Sequence, residues 1–373
     1  MAYLKYIKKI LTEKQIVFFV LISLGLIFIS IIELFGISLV IPIIYTLTSD
    51  NFYVGLIDFI NDYKSIDFSK QDLVAISLSL FAFFFVIKNF LLGFFFWIEG
   101  KFIYTMSERI SSKIFRKFLS RDYSFHLNEN SANLMTKINN DMLYIKTYFL
   151  SLLVFISEII IFFGLLGILF YYSSDVILKV LPYLLFFLLL FYFFFNKIIK
   201  RIGHERKKND YLKTKKIQEG IGGIKEIIAF RKIDYFSKSF NIYVEKLIKI
   251  FYIFHFLQKL PRIYFETLTV VGISAFTIII LLSTNDIDNS VAILSIFVVF
   301  SLRLLPSINR IVNSLNSFKY CLPAFKSVAK ELATKVKKKK FQKISKFKSL
   351  DFNNLFFKYP KSDFEIKFNL KIK

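Results

Sequence analysis

Six apolar stretches constrain this chain more than any other feature. They run near Ile16–Leu47, Leu73–Ile98, Tyr148–Tyr171, Val176–Phe195, Ile263–Leu282 and Val291–Leu305. A helix needs about 20 apolar residues to cross a bilayer, where every backbone polar group must be satisfied within the segment. The first stretch is too long for a signal-peptide core and no small-residue cleavage site follows it, so it is expected to stay in the mature protein. Hydrophobic residues make up 55% of the chain and mean hydropathy is +0.54, more apolar surface than a water-soluble fold of this length can hide. The expectation is an all-α membrane protein with six transmembrane helices.

The net charge is nevertheless +24, which is compatible with such hydrophobicity only if the two are segregated along the chain. They are. Basic residues gather at the N-terminus (Lys5, Lys8, Lys9, Lys14), between Asn196 and Leu260, and at Lys337–Lys340. The loop after the first stretch instead carries Asp50, Asp58, Asp62, Asp67 and Asp72, and the loop after the fifth carries Asp286 and Asp288. Lys and Arg accumulate on the cytoplasmic side of membrane proteins, so both termini are expected inside. That topology accounts for the basic excess and removes the reason to invoke nucleic acid. The single cysteine, Cys321, excludes an internal disulfide, and His126, His204 and His255 have no neighbouring ligands that would suggest a metal site.

The two connections on the basic side are long. The first has no Gly or Pro between Lys101 and Phe163, and its apolar residues Phe102, Met106, Ile110, Ile114 and Phe118 recur at helical spacing. The second is interrupted only by Gly203, Gly220, Gly222 and Gly223 before Pro261, which is expected to open the fifth membrane helix just ahead of Arg262. The spans are therefore expected to continue as helical arms about 30 Å beyond the bilayer, at 1.5 Å per residue. The chain closes differently. In LDFNNLFFKYPKSDFEIKFNLKIK, Phe352, Leu355 and Phe357, then Phe364, Ile366, Phe368, Leu370 and Ile372, alternate with polar residues about a turn at Pro360–Ser362, which reads as a β-hairpin.

With these features in place, the chain resembles the membrane half of an ABC exporter. FLSRDYSFHLNENSANLMTKINNDM, Phe118 to Met142, resembles the first intracellular arm of that family, and IQEGIGGIKEIIAFRKIDYFSKSF, Ile217 to Phe240, the second. The resemblance implies that Arg121, Asp122 and Tyr123, with Gly222, Gly223, Lys225 and Glu226, couple to an ATPase domain. LDFNNLFFKYP resembles the opening strands of the nucleotide-binding domain, which makes Tyr359 an adenine-stacking residue. LQKLPRIYFETLTVVGI, Leu257 to Ile273, and SLRLLPSINRI, Ser301 to Ile311, resemble the lipid-linked oligosaccharide flippases of bacterial protein glycosylation. The implied protein is a homodimeric flippase of the bacterial inner membrane that moves a polyprenyl-pyrophosphate glycan.

No GxxxxGK[ST] occurs, so no loop of this sequence cradles nucleotide phosphates. ATP and Mg²⁺ are expected for the full transporter and no cofactor for this chain alone, which is not expected to be an enzyme by itself. The hairpin is expected to be the start of an ATPase domain whose remainder is lost, frameshifted or encoded separately. The expected organisation is a cytoplasmic segment 1–15, a transmembrane domain 16–325, a basic linker 326–345 and an incomplete nucleotide-binding domain 346–373. Other readings are export of a different lipid or a peptide, an inactive truncated product, or an ATP-independent transporter; the last has no use for long cytoplasmic arms.

Ionisable residues at bilayer depth are costly and usually face an interior or a wet cavity. Glu33, Lys88, Glu158, Arg262, Glu266, Arg303 and Arg310 fall there or at its margin. A lipid pyrophosphate needs cations, with Arg offering a fork of donors and Lys a point charge. Lys88, Arg262 and Arg303 are therefore the candidate substrate-binding residues. The alternative pairs Lys88 with Glu33 and Arg262 with Glu266 and lets Arg303 and Arg310 snorkel to the inner surface. In NFYVGLIDFINDY, the residues Phe52, Leu56, Phe59, Ile60 and Tyr63 share one helical face. That segment is either an interfacial helix meeting a lipid tail or a short cap on the bundle.

Overall fold

The computed structural model describes residues 6–7, 9–40, 42–43, 70–172, 174–283, 287–334, 349–358 and 364–372; within these, side chains at 70, 172, 174–181, 184, 273, 275–276, 279–283 and 287–301 are not described. The helices are α1 (Glu13–Ser38), α2 (Lys70–Leu119), α3 (Tyr123–Asn128), α4 (Ser131–Ile138), α5 (Asn140–Tyr172), α6 (Ser174–Gly222), α7 (Ile224–Ala229), α8 (Ile233–Ser283) and α9 (Ile287–Ala333). Strands β1 (Leu350–Lys358) and β2 (Glu365–Ile372) close the chain. The segment Phe52–Tyr63 and Tyr359 lie outside the described residues.

Local sequence sets where these helices start. Thr12 caps α1 with a reciprocal box: the Gln15 N–H donates to Thr12 Oγ1 at 3.4 Å and the Thr12 N–H to Gln15 Oε1 at 3.0 Å. Asn130 caps α4 by accepting the Ala132 N–H at 2.9 Å. Four helices then run far beyond a membrane's thickness. α2, α6, α8 and α9 hold 50, 49, 51 and 47 residues, about 70–77 Å each against about 30 Å of hydrocarbon.

Pro261 does not open a helix, contrary to the sequence expectation: it lies inside α8, so Arg262 is mid-helix. The lost hydrogen bond is tolerated because the flanking turns are packed, with Leu257 and Phe265 4% and 3% exposed in the core. Pro182, Pro306 and Pro323 are likewise helix-internal.

Among the described residues, three helical stretches are long and apolar enough to cross a membrane: Glu13–Ser38, Gln71–Leu119 and Ser131–Tyr171. The other three expected spans fall within α6, α8 and α9. The outer surface is inverted relative to a water-soluble protein. Phe83, Val86 and Phe90 on α2 are 65%, 68% and 77% exposed, and Phe193 and Phe194 on α6 are similar. Such a surface is stable only against lipid or another apolar face.

The core lies where the arms meet. Ile103, Met106, Ile110, Ile114 and Phe118 of α2 are buried with Ile145, Phe149 and Leu153 of α5 and Phe325, Val328 and Ala329 of α9. The helical spacing read from the sequence is thus the buried face, shifted by one residue at its start. The α9 helix runs on to Ala333, with Val328 and Ala329 buried in this core.

The hairpin also has a local explanation. Phe352 and Leu355 are three apart, which would put them on opposite faces of a regular strand. The register shifts between them, and Asn354 takes the left-handed conformation (φ 51°) of a β-bulge. Phe352, Leu355 and Phe357 then sit opposite Leu370, Phe368 and Ile366 on one apolar face.

Candidate functional site

Three helices bring charge to one point in the membrane half. Glu33 of α1 lies between Lys88 of α2 and Arg303 of α9. Its Oε1 is 3.6 Å from Lys88 Nζ and 2.5 Å from Arg303 Nη2. Lys88 is buried and stands over the Phe85 ring at 4.4 Å, and Arg303 Nε is buried without a hydrogen-bond partner among the described residues. Among the described residues, two cations against one carboxylate give the cluster a net charge of +1. Charges of this kind persist at low dielectric only when paired or when a wet cavity reaches them.

The second cluster is one turn and more along α9. Glu158 of α5, 2% exposed, accepts from Ser307 Oγ and from Arg310 Nη1, the latter at 2.6 Å. Arg303 and Arg310 are each held by a carboxylate from another helix, Arg310 with its side chain still 51% exposed. The Arg262–Glu266 pair forms within α8 at 3.8 Å, with side chains 76% and 59% exposed. Of the three candidate cations, Lys88 and Arg303 converge, while Arg262 stands on an open face of α8.

The arm tips divide into held and presented residues. Arg121 is tied inward: its Nη2 donates to Glu331 Oε1 at 2.9 Å, near the end of α9, and its guanidinium lies 4.7 Å from the Phe125 ring. Lys137 reaches Glu331 Oε2 at 3.2 Å, and Lys117 Nζ donates to the carbonyls of Glu331 and Leu332, capping the α9 C-terminus where the helix dipole favours a cation. Tyr123 is 75% exposed, beside exposed Asp122. At the second tip Gly222, Lys225 and Glu226 are exposed and Gly223 half-buried. Around them Ile221, Ile224, Ile228 and Phe230 are exposed apolar side chains that the sequence reading passed over. The spacing of three and four in Ile221, Ile224 and Ile228 was the available signal.

Two further hubs escaped notice because their members are far apart in sequence. One is Glu331, just described. The other is Arg206 of α6, fully buried with its Cζ 3.1 Å from the Tyr144 ring centroid and 4.8 Å from that of Tyr320. Tyr320 stacks on Phe254 at 3.7 Å, so α5, α6, α8 and α9 meet there. Beside it Lys207 bridges Asp141 at 3.1 Å and the Pro323 carbonyl at 3.2 Å.

These features define a multi-pass helical membrane protein whose spans continue into packed arms. A family model for the ABC transporter transmembrane region matches residues 24–305, well over half of the chain. The chain belongs to that family and is an ABC-type transport subunit. Transmembrane regions of this family pair with nucleotide-binding domains.

Proposed function

We propose that this subunit flips a lipid-linked oligosaccharide, or a similar polyprenyl-pyrophosphate glycan, across a bacterial inner membrane. It acts as a homodimer with both termini in the cytoplasm, driven by ATP and Mg²⁺ in a nucleotide-binding domain supplied in cis or in trans. The arm tips Asp122–Tyr123 and Gly222–Glu226 are the docking points for that domain, and the hairpin carrying Tyr359 forms its first strands. Arg121, drawn to Glu331, orients the first tip rather than presenting itself.

The observation that carries this reading is the convergence of Lys88 of α2 and Arg303 of α9 on the single carboxylate of Glu33. A pyrophosphate leaving water needs paired cations, and a guanidinium can grip two of its oxygens. Arg262 supplies a further exposed guanidinium. Export of another lipid or of a peptide is the competing reading, and a peptide or an uncharged lipid requires no phosphate-binding cations.

The test is translocation of a polyprenyl-pyrophosphate glycan by the transporter assembled with its ATPase domains in proteoliposomes. Each charge-assisted hydrogen bond is worth roughly 1.5–3 kcal/mol. Arg303→Ala is therefore expected to cut translocation at least tenfold, Arg303→Lys less, and Lys88→Met by a comparable amount. Normal translocation by the Lys88→Met/Arg303→Ala double variant would sink the proposal.

A further inference from the structure

The cation pair at the centre of the proposed site already has an occupant, supplied by the chain itself. A single oxygen of Glu33 serves both Lys88 and Arg303, at 3.6 Å and 2.5 Å. A guanidinium has five N–H donors and an ammonium three, so one shared oxygen uses little of what the pair offers. Arg303 Nε remains buried and, among the described residues, unsatisfied. The side chains of Glu33, Lys88 and Arg303 are 14%, 7% and 21% exposed, so the cluster is neither sealed in a core nor immersed in solvent.

Charge balance limits which anions this cluster can hold at once. Without a counter-ion, two cations at this depth are expensive, and Glu33 supplies one. A phosphate or pyrophosphate group brings its own two negative charges and several oxygens in a geometry that suits a fork of donors. Retaining Glu33 as well would set three or more negative charges against two positive ones. Glu33 must then give way.

We infer that Glu33 is a resident counter-ion that a phosphate group displaces from Lys88 and Arg303 on binding, and that returns to expel the group on release. The inference rests on the reading of Lys88 and Arg303 as head-group ligands and adds the residue that sets their affinity. Glu33 lowers the affinity of the site so that a tightly charged cargo can leave it.

The experiment is isothermal titration of the purified chain in detergent with farnesyl pyrophosphate, with inorganic pyrophosphate as the head group alone and farnesol as a neutral control. Glu33→Gln is expected to bind farnesyl pyrophosphate at least about tenfold more tightly than wild type, ~1.4 kcal/mol, with farnesol unaffected. Glu33→Asp, whose carboxylate is drawn back by one methylene, is expected to fall between them. Tightening seen also with inorganic pyrophosphate assigns the site to any phosphate; tightening confined to the farnesyl compound assigns it to a lipid head group. Both results support exchange.

Equal or weaker binding by Glu33→Gln, while Lys88→Met and Arg303→Met still weaken binding, overturns the exchange and leaves the proposed function standing. Binding indifferent to Lys88→Met and Arg303→Met overturns both. If Glu33→Gln does not fold, Glu33→Asp decides on the same criterion, and affinity no higher than wild type overturns the inference.

Discussion

Arg206 and Asp210 show how a buried charge is held in the arms, one helical turn apart on α6. Arg206 Nη1 is 3.9 Å from Asp210 Oδ2, and Arg206 Nη2 reaches the Tyr320 carbonyl at 3.5 Å. Burial pushes the Asp210 carboxyl up from the usual 3.8 to about 6. Asp141 adds to the rise, and Arg206, Lys213 and Lys207 oppose it without cancelling it. Because the folded state holds this proton more tightly than the unfolded state, the sign is fixed. The destabilisation is absent below about 3.8, grows through the window and is complete above about 6. Wild type minus Asp210→Asn should therefore lose melting temperature between pH 4.5 and pH 7. A flat difference over that range would show that Asp210 titrates normally, and a rising one that its carboxyl is lowered instead; either overturns the prediction.

At the scale of elements, α6 and α9 approach so closely at one point that a side chain does not fit. A Cβ on Gly203 would lie 2.8 Å from the Tyr320 carbonyl oxygen and 3.1 Å from its Cα, both backbone atoms that cannot step aside. Gly203→Ala is expected to cost about 1–3 kcal/mol by forcing the two helices apart. Gly220, on the same helix, has nothing within 4 Å of its Cβ position, so Gly220→Ala should gain about 0.5 kcal/mol from helix propensity alone. Thermal unfolding in detergent would separate the two, and equal shifts would mean that the close approach is not real. The contrast identifies Gly203 as a packing residue rather than a hinge, although both glycines look alike in the sequence.

For the whole molecule, the proposed orientation makes a direct prediction. Native Cys321 is fully buried, and burial pushes its thiol up to about 12, so wild type is expected not to react with maleimides while folded. Single cysteines can thus be placed on the wild-type background. Tyr123→Cys and Phe230→Cys, at positions 75% and 71% exposed on the two arm tips, should label with an impermeant maleimide only after the inner membrane is permeabilised. Labelling in intact cells at either site would reverse the proposed topology. Labelling of wild type would instead mean that the junction of α5, α6 and α9 around Cys321 opens.

Hydropathy and loop charge were enough to read a helical membrane protein with long arms, because both signals are local: lipid demands continuous apolar runs and the arms repeat at helical spacing. Paired alternation likewise exposed the hairpin, although not the bulge at Asn354 that brings Phe352 into line with Leu355. Lys88 and Arg303 stood out as cations at costly depth. Glu33 was legible as an alternative partner for Lys88 alone; that Arg303 shares it was not, since position 303 is remote in the chain and a shared partner leaves no trace in spacing. Pro261 misled for a related reason: its cost is local, but packing of Leu257 and Phe265 against other helices overrides it. The inward capture of Arg121 by Glu331 and the burial of Arg206 between Tyr144 and Tyr320 also exist only because distant helices cross. Composition decides which solvent this chain can live in, while the crossing of helices decides which charges meet.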